Sequence, residues 1–171
     1  MSNISAATSN QLTSALHVLG VNFLMGETDA QESFHRKPAL LIAALAESTE
    51  ARLRLSLIPL FLEHPEFSKY VRQAVQGLGD SARLILQCYY TAALLLQKQY
   101  RTELDPLIGR KQSLPDLFSA QIGLPITANP RQDLKALAKQ HESLSGARVN
   151  WLGTYQHAIQ VWLKGLEMQK P

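Results

Sequence analysis

From Pro38 onward, apolar positions recur at the three- and four-residue spacing of a helical face rather than at the two-residue spacing of a strand. The stretch 38–48, PALLIAALAES, opens on a proline, which suits a first helical position, and continues in helix-forming alanine and leucine. The next stretch, EARLRLSLIPLFLEHPE at 50–66, is the one place where the two periods compete. Polar and apolar residues alternate from Arg52 to Leu57, as on a half-buried strand. Yet Leu53, Leu57, Leu60 and Phe61 fall on one helical face, and Ser48 or Thr49 can cap a helix whose positive end suits Glu50. Glu50 and Arg54 have the i,i+4 spacing of a favourable pair, and the alternation is explained if Leu55 also faces protein. Pro59 would interrupt a central strand, whereas in a helix it bends the chain near Leu55. The spacing predicts a bent helix.

Elsewhere the pattern is more regular. Leu12, Leu16, Leu19 and Phe23 predict a first helix from a cap at Asn10 to about Met25, ended by Gly26 and followed by the acidic stretch ETDAQESFH. Phe67, Tyr70, Val71 and Val75 form the inner face of a helix begun by Pro65. Asp80 starts the longest helix, SARLILQCYYTAALLLQKQYRTEL, which is apolar nearly all round between Leu84 and Leu96 and so belongs at the centre of the fold. Ser113, Pro115 and Asp116 predict a short helix to about Ile122; Asn129-Pro130 starts one that runs to Leu144 and stops at Gly146. Asn150 begins the last, with Trp151, Tyr155, Ala158, Ile159, Trp162 and Leu166 in one stripe. The fold class is all-α: an irregular bundle of seven or eight helices. Residues 1–35 form an N-terminal helix and acidic loop, residues 36–171 the helical domain, and the whole one compact domain. Residues 38–63 and 65–97 each read as a pair of helices joined by a tight turn, which resembles the hairpins of HEAT-type arrays.

Charge refines this picture. The net charge of +3 divides unevenly, −3 over residues 1–35 and +6 over 36–171. That permits an acidic partner without the concentrated basic surface of a dedicated nucleic-acid binder. One cysteine, Cys88, allows no internal disulfide; the N-terminus lacks a basic segment before its apolar residues, and no apolar run approaches a membrane span. A cytoplasmic location with no membrane contact is expected.

Candidate chemistry is sparse. His17, His35, His64, His141 and His157 are widely separated, with no HExxH or CxxC, so no metal site is expected and the histidines are read as capped or solvated. Cys88 lies in the most apolar segment without a basic neighbour, the setting of an inert thiol. GLGDSAR at 77–83 precedes a helix but lacks the lysine of a P-loop and the third glycine of a dinucleotide fingerprint, so no cofactor is expected. Neither Arg131 to His141 nor Arg148 to His157 has the R-x4-6-H spacing of small helical RNases. No catalytic residue emerges. Arg36, Lys37, Arg52 and Arg54 could converge on one basic surface if 38–63 is a hairpin, and they are the candidate interaction residues; Arg54 is expected on Glu50, leaving Arg52 free to reach an acidic partner. Tyr89, Tyr90 and the Trp151/Tyr155/Trp162 stripe read as core.

Three strings, RKPALLIAALAESTEARLRLSLIPLFLEHPE, LPDLFSAQIGLP and LSGARVNWLGTYQHA, resemble a family of small all-helical bacterial proteins whose genes often neighbour those of nucleotidyltransferase-domain proteins. The resemblance spans about residues 36–163 and implies a non-enzymatic companion, antitoxin-like, of a nucleotidyltransferase. It supplies no catalytic residues. A nucleic-acid-associated module using Arg36, Lys37, Arg52 and Arg54 is the alternative, and a homo-oligomer is compatible with either.

Overall fold

The computed structural model describes residues 9–21 and 34–169. Within them are nine α-helical segments and no strand: α1 (Ser9–Val18), α2 (Pro38–Glu47), α3 (Ala51–Leu55), α4 (Leu57–Glu63), α5 (Ser68–Gln76), α6 (Asp80–Gln99), α7 (Arg101–Ile108), α8 (Pro130–Ser145) and α9 (Trp151–Gln169). With α3 and α4 taken as the single bent helix that the sequence predicts, the all-α irregular bundle has eight helices among these residues. The bend is sharp enough that Ser56 ends one segment and starts the next. Restarting there places Pro59 in the first turn of α4, where its missing N–H has no partner to lose. The Ser56 hydroxyl, fully buried, donates to the Leu53 carbonyl at 2.5 Å.

The 20-residue α6 lies at the centre, as its apolar circumference predicts: every residue from Cys88 to Gln97 is buried, and α6 packs against α8, α4, α2 and α9. The expected repeat is not a pair of hairpins. Following a 3-10 turn at Pro65–Phe67, α5 packs on α2 rather than on α6, so the second unit opens out. α1 shares the common core through Leu12, Ala15 and Leu16 and is tied at both ends. Ser9 hydrogen-bonds Glu50 at the start of α3, and His64 Nε2, just past α4, donates to the Leu19 carbonyl at 2.5 Å. α1 therefore runs parallel to the bent helix.

Two predicted boundaries move for the same reason. α1 ends at Val18 because the closing glycine is Gly20, six residues before the expected Gly26: at φ +81°, Gly20 N donates to His17 O (3.0 Å) and Val21 N to Leu16 O (2.8 Å), the paired bonds of a left-handed helix terminus. Phe23, Met25, Gly26 and most of the acidic stretch lie outside the described residues. The helix predicted over 113–122 shrinks to one turn. Asp116 rather than Ser113 caps it, accepting from Ser119 N at 3.0 Å, and Gly123, at φ +73°, closes it with the same bond pair, Gly123 N to Ala120 O and Leu124 N to Ser119 O. The long helix also differs, breaking at Tyr100 and resuming as α7 through Ile108.

The remainder of 109–127 carries no helix, yet its backbone is held by side chains. Gln97, buried in α6, donates to the Gln112 carbonyl and accepts from Leu114 N; the Tyr90 hydroxyl donates to the Pro115 carbonyl; Gln140 of α8 donates to the Ile122 carbonyl. α8 and α9 begin as predicted, with Asn129 Oδ1 accepting from Gln132 N and Asn150 Oδ1 from Gly153 N, each a helix cap.

Candidate interaction groove

The four basic candidates do not form one patch. Arg36 and Lys37 are exposed just before the N-terminus of α2, whereas Arg52 and Arg54 lie beyond its other end, and ten helical residues, about 15 Å at 1.5 Å per residue, separate them. Their pairing is also the reverse of the expected one. Arg52 reaches Glu50, Nε to Oε2 at 2.9 Å, and Arg54 instead donates from Nη1 to the Ser48 carbonyl at 2.8 Å, one of the acceptors left over at the end of α2. A cation at a helix C-terminus also meets the favourable end of its dipole. Helix α3 begins at Ala51, so from Glu50, its cap, Arg52 is the residue within reach. The Ser9 hydroxyl and Arg52 together hold the Glu50 carboxyl below its ordinary range.

Arg54 forms part of a groove of about 660 Å³. One wall is the C-terminal end of α2 and the connection after it (Ala46, Glu47, Ser48, Thr49); the other is the start of α6 (Gly79, Asp80, Ser81). Ala82 and Ile85 supply apolar surface between them. The walls bring together helix ends of opposite polarity, acceptors from α2 and donors from α6, beside one guanidinium and two carboxylates. Such a lining can hold an extended segment through backbone hydrogen bonds and a small apolar contact. It was not legible in the sequence because its two walls are some thirty positions apart: Ser48, Thr49 and the GLGDSAR stretch at 77–83 each read as local helix punctuation, and nothing in their spacing brings them together.

Outside the groove, one cluster centres on a histidine that the sequence reads as capped or solvated. His141 is completely buried. Its ring stacks on Trp151 with centroids 3.6 Å apart, its Nδ1 is 2.5 Å from the Tyr155 hydroxyl, and Tyr89 meets both His141 and Tyr155 edge-on at 6.1 Å. The arrangement that orphans fewest groups has Tyr155 donating to Nδ1, which leaves Nε2, buried and unpartnered, carrying the proton. Burial lowers the His141 pKa to about 4, pushes Tyr89 up to about 12 and raises Tyr155 further still. One signal could have found this histidine: it continues the buried series Leu134, Leu137 of α8 at helical spacing.

Cys88, also at zero exposure, has its thiol raised to about 12 by burial. The folded protein should resist a disulfide-exchange reagent at pH 8 and react stoichiometrically in denaturant; labelling of the native protein within minutes would place Cys88 outside the core. Among the described residues, no three histidines, cysteines or carboxylates gather as a metal site, and no helix is long and apolar enough to cross a membrane. Comparison with known protein families, with curated proteins and with solved structures gave no match.

Proposed function

We propose that the protein is a non-enzymatic interaction module that receives a segment of a partner protein in the groove between α2 and α6, the partner being a nucleotidyltransferase-domain protein. The observation that carries binding over catalysis is the state of the reactive groups. The thiol of Cys88 and the imidazole of His141 are buried: burial keeps the thiol protonated and so not nucleophilic, and it makes the imidazole a weak base out of reach of solvent. The open groove offers helix-end donors and acceptors instead. The choice of partner rests on the family resemblance over residues 36–163, and an antitoxin-like role follows from it.

The test is co-expression with a nucleotidyltransferase-domain protein from the same genome, followed by titration calorimetry. Ser81 is exposed and lines the groove, so Ser81→Trp fills it while leaving the core intact. The expected result is a stoichiometric complex that Ser81→Trp weakens at least tenfold, with unchanged thermal stability. Arg36→Glu with Arg52→Glu should also change stability little, since Arg52 contributes only an exposed ion pair. If both arginines flank the interface, that pair of changes slows association and alters its salt dependence. No complex would overturn the partner, and a complex of wild-type strength with Ser81→Trp would overturn the groove.

A further inference from the structure

Helix α8 presents Arg131, Lys135 and Lys139 at successive i,i+4 positions, all exposed, and none has an ion-pair or hydrogen-bond partner among the described residues. Four residues of helix rise about 6 Å, so the three cations form a nearly straight row about 12 Å long. Of the two carboxylates on α8, Glu142 is exposed three residues beyond Lys139 without forming an ion pair to it, and Asp133, the one beside Arg131 and Lys135 in sequence, points the other way. Asp133 is buried, and its two oxygens accept from Thr127 N (2.9 Å) and Thr127 Oγ1 (2.7 Å). Arg131 also stands in the first turn, where the helix dipole is unfavourable to a cation. Arg131 and Lys135 have no exposed acid within one turn on α8, so positive potential collects on the N-terminal half of the helix, where the dipole already supplies it.

We propose that the outward face of α8 contacts the phosphate backbone of a nucleic acid. A repeating row of cations complements a ligand whose charge repeats, and a nucleic-acid strand carries one phosphate per nucleotide. A lipid surface fits less well, because an interfacial helix inserts its apolar face, and that of α8 (Leu134, Leu137, His141) is buried in the bundle. The exposed neighbours Gln132, Ala136 and Ser143 offer no aromatic platform for bases, so the contact is independent of sequence. This site is separate from the groove, and its test does not depend on any protein partner.

The experiment is fluorescence anisotropy with a labelled mixed-sequence 20-base-pair DNA duplex and the full chain, with salt varied from about 50 to 200 mM. Neutralising three phosphates predicts a slope of log affinity on log salt near −3. Arg131→Gln, Lys135→Gln and Lys139→Gln together should lower affinity at least tenfold at the lowest salt. A control of equal charge, Arg72→Gln, Lys98→Gln and Arg110→Gln, all exposed, should stay within about threefold of wild type. Binding by wild type lost only in the α8 variant supports the proposal. Equal loss in both variants would mean undirected attraction, and no duplex binding, or equal affinity for poly-glutamate, would mean that the row meets no nucleic acid; each of these overturns it.

Discussion

Phe61→Ala should lower the unfolding free energy by about 3–5 kcal/mol, the range for deleting a fully buried aromatic ring. Phe61 has no exposed surface and meets the Tyr90 ring edge-on, centroids 5.0 Å apart, and Tyr90 in turn meets Phe118 at 5.7 Å. One ring therefore connects α4, α6 and the helix-free loop. A cavity there removes packing on α6 from one side and loosens the support of Tyr90, whose hydroxyl holds the Pro115 carbonyl at 2.7 Å. Denaturant unfolding followed by far-ultraviolet circular dichroism measures the loss. A cost under about 1 kcal/mol, typical of a surface change, would mean that the ring is not enclosed. Tyr90→Phe keeps the ring and removes only the hydroxyl, so its cost should be nearer 1 kcal/mol.

Acid should undo the His141 cluster in a defined window. The folded pKa of about 4 lies below the ordinary value of 6.5, so between these values the unfolded chain binds a proton that the folded chain refuses. Stability is then complete above pH 6.5 and falls as pH drops toward 4, by up to about 3 kcal/mol for a shift of this size. The Glu50 carboxyl, held low by Ser9 and Arg52, also contributes stability that acid removes, but only below its ordinary 4.5. Glu63, whose carboxyl burial raises above 4.5, acts the opposite way just above that value, gaining stability as acid is added, so the histidine is read from the difference between wild type and a variant lacking it. Replacing both partners, His141→Phe with Tyr155→Phe, leaves no orphaned hydroxyl and should flatten the fall between pH 6.5 and 4.5. Equal slopes in wild type and double variant, measured by urea unfolding from pH 7 to 4.5, would assign the acid sensitivity elsewhere.

The helices themselves were legible because their signals are local. Pro38, the Asn129-Pro130 pair, Asn150 and Gly146 set boundaries through bonds made within a few residues, and apolar spacing placed α6 at the centre before any contact was known. Gly20 shows where local reading stops: a glycine inside a plausible apolar face either continues a helix or closes it, and the burial of Val21 and Leu16 across the turn decides. The Arg52 and Arg54 assignments were exchanged for a related reason. Ideal i,i+4 spacing presumes that Glu50 is already inside the helix, whereas it is the residue before it. His141 was misjudged because residue type was weighed above position; in α8 its register outweighs its polarity, and Tyr155 and Trp151 from α9 supply the surroundings. The groove depends on two walls some thirty positions apart and the row on α8 on Asp133 turning inward, and spacing along the chain carries neither.

The loop after α7 has an evolutionary consequence. Its fixed points on α6 are Gln97, Tyr90 and Gln87, the last facing Gln121 at 3.3 Å, and the intervals of seven and three residues keep all three on one side of the helix. A loop fastened at such intervals tolerates changes of residue at Pro115 or Ala120, which are exposed and give no side chain to a fastening, far better than changes of length, because one inserted residue between Leu114 and Ile122 would put every later fastening out of step. Length variation among descendants of this chain should therefore collect at Gly109 and Arg110, ahead of the first fastening, where exposed backbone can lengthen without disturbing α6.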